Sequence, residues 1–218
     1  MTDKLRMGAK YYLAWKHSLE RGANPLSDGV PWITFEARDF LDAILTPNAL
    51  VFEYGSGGST LFYSARAQKV ISVENDAEWS GRVRDTLTNR GVSNCDFRFV
   101  PSSKTHNGDG DPMDPQSYAS SAEEYSGHSF RQYVVTVDDF PDQFFDFVAI
   151  DGRARPSCIQ HARAKVKIGG YLMLDNSERP SYQPSVQLLS RWERRQFYGP
   201  GPYNAYFWET TFWRRLAV

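Results

Sequence analysis

Apolar positions fall into two successive rhythms along the chain. Over residues 4–18, Leu5, Met7, Tyr11, Tyr12, Leu13 and Trp15 recur at a loosely helical spacing, and Gly22 and Pro25 end the run. Residues 33–45 place Ile33, Phe35, Ala37, Phe40, Leu41, Ile44 and Leu45 on one stripe, which predicts an amphipathic helix stopped near Pro47. From residue 49 the rhythm changes. ALVFEYG, ending at Gly55, and KVISVE, ending at Glu74, are short apolar runs of buried-strand type, followed by helical stretches over 59–67 and 76–90. CDFRFVP, residues 95–101, alternates and ends at a proline, as a third strand would. After a long polar segment come a short helix near 130–137, the strand FFDFVAIDG at 144–152 and a helix over about 157–167. GGYLMLDN is a fifth strand, residues 182–195 read as a helix, and QFYGPGPYNAYFWETTFWRR reads as two aromatic strands around a glycine-proline turn.

Strands alternating with helices imply right-handed crossovers and an α/β fold, a doubly wound, mostly parallel sheet. The last hairpin adds an antiparallel edge, and the two N-terminal helices pack over the open side. With 218 residues and no internal repeat, the expectation is a single domain over 1–218, in which 1–46 form a helical cover. Residues 102–129 (SSKTHNGDGDPMDPQSYASSAEEYSGHS) form a polar insert, and loops of this length in compact domains are usually functional or disordered. Its place after the third strand puts it over the ligand edge of the sheet, as a lid that excludes water and shapes substrate choice. GDGDPMD lacks the spaced ligands and terminal glutamate of a calcium loop and reads as solvated.

Composition narrows the function. The formal net charge is -1, so no global basic field is available for nucleic acid or an anionic membrane. Cys95 and Cys158 are the only cysteines and form no CxxC pair, which excludes a zinc ribbon or disulfide framework and suits a reduced, cytoplasmic setting. No apolar run approaches a membrane span, and the N-terminus is too polar for a signal peptide. Tyr203, Tyr206, Phe207, Trp208, Phe212 and Trp213 read as core or as a homodimer surface, not as a base-stacking platform.

Chemistry concentrates at the strand ends. Glu53, Gly55, Ser56, Gly57 and Gly58 sit where the first strand meets its helix, where glycines permit a sharp turn and close approach to a ligand. Glu74 and Asn75 close the second strand about 20 residues on, where a carboxylate can accept both ribose hydroxyls of an adenosine-type cofactor. A dinucleotide fingerprint wants a third glycine where Thr60 stands, and Glu53 would repel a pyrophosphate. S-adenosylmethionine, with its cationic ammonium end, meets no such repulsion. Asp151 ends the fourth strand, and Asp175 and Asn176 end the fifth; two carboxylates and an amide at one edge are hard oxygen donors suited to Mg²⁺. Arg153, Arg155 and Arg179 lie near that edge and would recognise a substrate carboxylate or phosphate, or pair with surface acids.

EYGSGGST followed by ISVEND resembles motifs I and II of the class I S-adenosylmethionine-dependent methyltransferases. FDFVAIDGRAR and GGYLMLDNSERPSY resemble the later strands of the same family, in the broad bacterial group similar to catechol-type O-methyltransferases. The resemblance spans roughly residues 33–215 and implies a Rossmann-like sheet of seven strands. It carries Glu53, Gly55, Gly57 and Glu74 over as cofactor contacts, places Ser102 and Ser103 where adenine is usually met, and makes Asp151, Asp175 and Asn176 a metal set. An acidic residue is common at the Ser102 position and is absent here. The lysine base that follows the first aspartate in that family is also missing, since Gly152, Arg153, Ala154 and Arg155 follow, and arginine is a poor general base. Deprotonation then falls to the metal, to His106 or His128, or to a tyrosine of the insert, with His128 preferred and Asp151 as the other catalytic candidate. Related folds use segments like the one at Trp32 and Thr34 to cover the cofactor. The expected activity is methyl transfer to an oxygen of a small molecule. N-methylation of an amine, aminopropyl transfer and a non-catalytic scaffold role are the alternatives.

Overall fold

The computed structural model describes residues 3–105 and 110–217, with residues 3–9 as backbone only. His106 and Asp109 therefore lie outside the described residues. The elements are α1 (Asp3–Ser18), α2 (Pro25–Asp28), α3 (Phe35–Ile44), β1 (Leu50–Tyr54), α4 (Gly58–Ser64), β2 (Lys69–Glu74), α5 (Ala77–Asn89) and β3 (Cys95–Phe99). There follow β4 (Ser103–Lys104), β5 (His128–Ser129), α6 (Arg131–Val135), β6 (Phe145–Ile150), α7 (Arg155–Lys165), β7 (Val166–Asp175), α8 (Gln183–Val186), β8 (Glu193–Pro200) and β9 (Phe207–Arg214).

Seven strands form one sheet in the order β3-β2-β1-β6-β7-β9-β8. The first five are parallel, and β9 and β8 close the edge antiparallel. The strand order reverses between β1 and β6, and the crevice at their carboxyl ends is where such sheets bind ligands.

The alternation of side chains across the sheet decides what faces what. Phe52, Tyr54, Ile71, Val73, Val148 and Ile150 face α6 and α7, while Val51, Val70, Phe147 and Ala149 face α3 and α4. Glu53 shares the face of Val51 and so points under α4, with Ser72 beside it in register on β2. At the far edge Asp175 pairs in register with Thr210.

The helix expected over 182–195 is only short helical turns, Pro180–Tyr182, Gln183–Val186 and Gln187–Leu189, and Glu193–Arg195 already belong to β8. Pro180 and Pro184 sit at the starts of these turns, and pairing with β9 recruits the following residues: Arg194 lies over the Trp213 ring and Arg195 over Phe40. The aromatic tail divides. Trp208, Phe212 and Trp213 are core, whereas Tyr206 is 61% exposed. The acids of GDGDPMD that are described make turns: Asp111 Oδ1 accepts from Met113 N and Asp114 Oδ1 from Gln116 N. Among the described residues, no helix is long and apolar enough to cross a membrane.

Candidate active site

The turn after β1 forms one wall of a cavity of about 500 Å³. Gly55 has φ +89°, and a Cβ there would stand 2.8 Å from both the Cα and the N of Gly152, so the loops after β1 and β6 touch backbone to backbone. Gly58 opens α4 directly against the carbonyls of Pro25 and Val30, where a side chain would collide. Thr60, at the position of the missing third glycine, accepts from Gly57 N at 3.0 Å and donates to Glu53 Oε2 at 2.6 Å. The residue that departs from the glycine pattern thus fastens the turn to the strand below it.

Glu53 does not line the cavity. It is buried beneath α4 and accepts from the hydroxyls of Ser59, Thr60 and Ser72. Burial pushes its carboxyl up to about 7, against the pull of those three donors. Its expected place as a direct cofactor contact therefore changes: it supports the floor from beneath α4 and is not part of the cavity lining. The shift has a measurable consequence. With a folded value raised from 4.5 to about 7, the native state holds the extra proton between those limits, so this stability is complete below about pH 4.5 and is lost as pH rises through 7. Glu53→Gln should flatten that slope, by on the order of 1–3 kcal/mol between pH 5 and 8. Urea unfolding of both proteins at the two pH values measures it, and equal slopes would refute the assignment.

Glu74 does face the cavity and is fully engaged. Oε2 accepts from Ser56 N at 3.0 Å and Ser56 Oγ at 2.8 Å, and Oε1 accepts from Asn75 N at 2.7 Å and Asp76 N at 2.9 Å. Ser56, Gly57 and Asn75 line the cavity with it. Trp79, which the sequence reading passed over, donates to Ser56 O at 2.8 Å and forms part of the same wall. Asn75 Nδ2 donates to the Tyr125 hydroxyl at 2.9 Å, and Arg153 pairs with Glu124 at 3.2 Å and lies over the Tyr125 ring. These contacts dock the insert onto the cavity. Ser102 and His128 are not brought in: they bond each other, Oγ to Nδ1 at 2.9 Å, and Tyr125 packs edge-on against the His128 ring. Thr34 is turned into the terminal hairpin toward Phe197 and Thr210, while Trp32 reaches the cavity rim.

Asp151, Asp175 and Asn176 converge as expected, but around a cation the chain supplies itself. Arg155 is buried, and its Nε donates to Gly152 O at 3.0 Å. Nη1 donates to Asp175 O and to Asn176 Oδ1 at 3.3 Å, and Nη2 to Asp151 O at 2.8 Å and Asp151 Oδ1 at 2.9 Å. Ala154 and Asn176, both non-glycine residues in the left-handed region (φ +47° and +50°), flank these contacts. Arg155 is thus neither a surface ion pair nor a substrate clamp; it ties the ends of β6 and β7 together.

Asp175 Oδ1 accepts from Thr210 Oγ1 at 2.6 Å and from Trp208 Nε1 at 2.9 Å. Burial and the neighbouring Asp151 charge push its carboxyl up to about 8. Burial also raises Asp151, with the guanidiniums of Arg155, Arg179 and Arg153 pulling it down. Asp151 is a third exposed and touches Arg155, so it is the member of the pair that keeps its charge, and Asp175 is the one that holds a proton. This arrangement does not fit Mg²⁺. One carboxylate is protonated near neutral pH and committed to the hairpin, and a guanidinium already holds the other carboxylate and the amide. Among the described residues, no group of three or more His, Cys, Asp or Glu could hold a metal ion.

By sequence the chain matches no family model and no curated protein. By structure it is similar to a Klebsiella pneumoniae protein assigned as an O-methyltransferase, with TM-score 0.64, 16% identity, and coverage of 99% of this chain and 100% of that one. It is also similar to the O-methyltransferase from Bacillus cereus in complex with SAH (TM-score 0.60, 12% identity, 99% and 92% covered) and to an rRNA methylase from Streptococcus thermophilus (TM-score 0.56, 12% identity, 84% and 95% covered). The reactions these names carry differ, and what is common to them and to this chain is the sheet and its ligand edge. The chain has the fold of the class I S-adenosylmethionine-dependent methyltransferases.

Proposed function

We propose that the protein is an S-adenosylmethionine-dependent methyltransferase acting on a hydroxyl oxygen of a small molecule without a metal ion. The observation that carries this reading is the convergence, in one cavity, of the glycine turn with Glu74 and of the Asp151–Asp175 pair. Bound there, S-adenosylmethionine would supply an electrophilic methyl group on a sulfonium. Glu74 would accept from the ribose, taking over the lone pair now given to the Ser56 hydroxyl. Asn75 and Trp79 would wall the adenosine, and charged Asp151 would face the methionine ammonium. Asp175 would take the hydroxyl proton: its Oδ1 is held by two donors, its Oδ2 accepts from none of the described residues, and a value raised to about 8 suits general base work at mildly alkaline pH. Most of the rate would come from alignment of nucleophile and methyl group. The part of the insert around Glu124 and Tyr125, which docks on Arg153 and Asn75, would cover the cavity as a lid and help to exclude water from it.

Methyl-labelled cofactor, incubated with the protein and separate panels of hydroxylated and amino acceptors, tests the reading. Label should appear in hydroxyl-bearing products and be unchanged by EDTA. Label in amines alone, or loss of transfer on chelation, would contradict it.

A further inference from the structure

The acceptor side of the cavity does not end at the carboxylates. Asn204 and Tyr206, in the turn between β8 and β9, also line a second cavity of about 190 Å³. Its other walls include Tyr12, Trp15 and Phe207. Trp15 Nε1 donates to Asn204 O at 2.6 Å, so α1 holds the dividing turn in place. Tyr206 packs against Trp208, which itself holds Asp175, so the exposed ring is coupled to the reacting end of the site. Tyr206 and Tyr12 are 61% and 52% exposed.

The two linings are chemically distinct and complementary. Asp151, Arg153, Asp175 and Asn176 line the first cavity at the strand ends and Asn204 lines it from the dividing turn, all hydrogen-bonding groups. The Asn204 Nδ2 is a buried donor with no partner among the described residues. Beyond them aromatic rings make most of the apolar surface, with Pro200 and Ala205 between them; neither lining includes a leucine, isoleucine or valine among the described residues. A fatty chain is met better by aliphatic side chains. Nucleic acid would need a basic track beside the rings, whereas Arg153, paired with Glu124, is the one basic residue among the described residues of the two linings. Flat rings beside a set of convergent polar groups suit a ligand with an apolar face and a rim of hydroxyls.

Building on the methyl-transfer reading, we propose that the acceptor is a carbohydrate. One sugar unit presents its hydroxyl to Asp175, and the next lies on Tyr206 and runs toward Tyr12 and Phe207. The acceptor oxygen would bond to the methyl carbon, the carbon–sulfur bond would break, and the hydroxyl proton would pass to Asp175, so no other reagent is required.

Saturation-transfer NMR with the 218-residue chain tests this, using maltose, cellobiose and methyl α-mannoside as probes, with 3,4-dihydroxybenzoate and a short single-stranded oligonucleotide as controls. Cofactor binding is measured in parallel by calorimetry. At least one sugar should give saturation transfer, stronger for a disaccharide than for the monosaccharide. Tyr206→Ala and Tyr12→Ala should each weaken it at least fivefold, with melting temperatures near that of the parent. Sugar binding that ignores both substitutions, or transfer to dihydroxybenzoate or the oligonucleotide with none to any sugar, would overturn the assignment. The arms separate the two ideas. Ring-dependent sugar binding without cofactor binding would sink methyl transfer and leave the groove assigned; cofactor binding without sugar binding would do the reverse.

Discussion

Replacing Arg155 by methionine is expected to cost about 3–5 kcal/mol of stability and to abolish cofactor-dependent activity. The guanidinium makes five hydrogen bonds inside the fold, three of them to the backbone carbonyls of Gly152, Asp151 and Asp175. Methionine fills similar space but leaves those carbonyls without their donor and the Asp151 carboxylate without its counter-charge. The loops after β6 and β7, each with a left-handed non-glycine residue, would lose the group that holds them together. Arg155→Lys keeps the charge on a compact head with three donors, so it should fall between the two, recovering part of the stability and little of the geometry. Denaturant unfolding of the three proteins measures the order. A methionine variant within about 0.5 kcal/mol of the parent would show that the arginine is dispensable.

Asp175→Asn should lower the rate of methyl transfer roughly 10²- to 10⁴-fold, the usual range for loss of a general base, with little change in fold. The amide oxygen can still accept from Thr210 and Trp208, so the β7–β9 contact survives while the proton acceptor is lost. In the parent the carboxyl is raised to about 8, so it is protonated on the acid side of that value and activity should climb as pH rises through 8 and then level. The variant should lack that limb. Initial rates from pH 6 to 9 decide it: a variant retaining more than a tenth of parental activity, or an unchanged pH limb, would move the base elsewhere.

Much of this was legible from local pattern. KVISVE is β2 to the residue, because a buried parallel strand must be apolar on both faces and ends where the carboxylate begins. The glycine turn was readable because the positive φ at Gly55 and the backbone contact it permits leave few other residues possible. What local pattern misses is what depends on residues far apart in the chain. Glu53 reads as a ligand contact, yet strand alternation sends it under α4 to Ser59, Thr60 and Ser72. Asp175 reads as a metal ligand because nothing near it in sequence shows that Trp208 and Thr210 approach across the hairpin. Arg155 reads as a surface charge for the same reason: its partners lie up to 21 residues away and converge only when β6 and β7 pair. The helix expected over 182–195 fails through pairing as well, since a run that tolerates either conformation takes strand form when β9 offers it a neighbour.

The central claim is that the turn after β1 and Glu74 form a binding site for S-adenosylmethionine. Calorimetric titration of the folded protein with S-adenosylmethionine, and with its demethylated product, tests it without any knowledge of the acceptor. The account predicts saturable one-site binding of both ligands, weakened about tenfold or more by Glu74→Gln, as expected when hydrogen bonds to a charged acceptor are removed. A folded protein that gives no binding heat with either ligand, or a Glu74→Gln variant that binds as tightly as the parent, would contradict it.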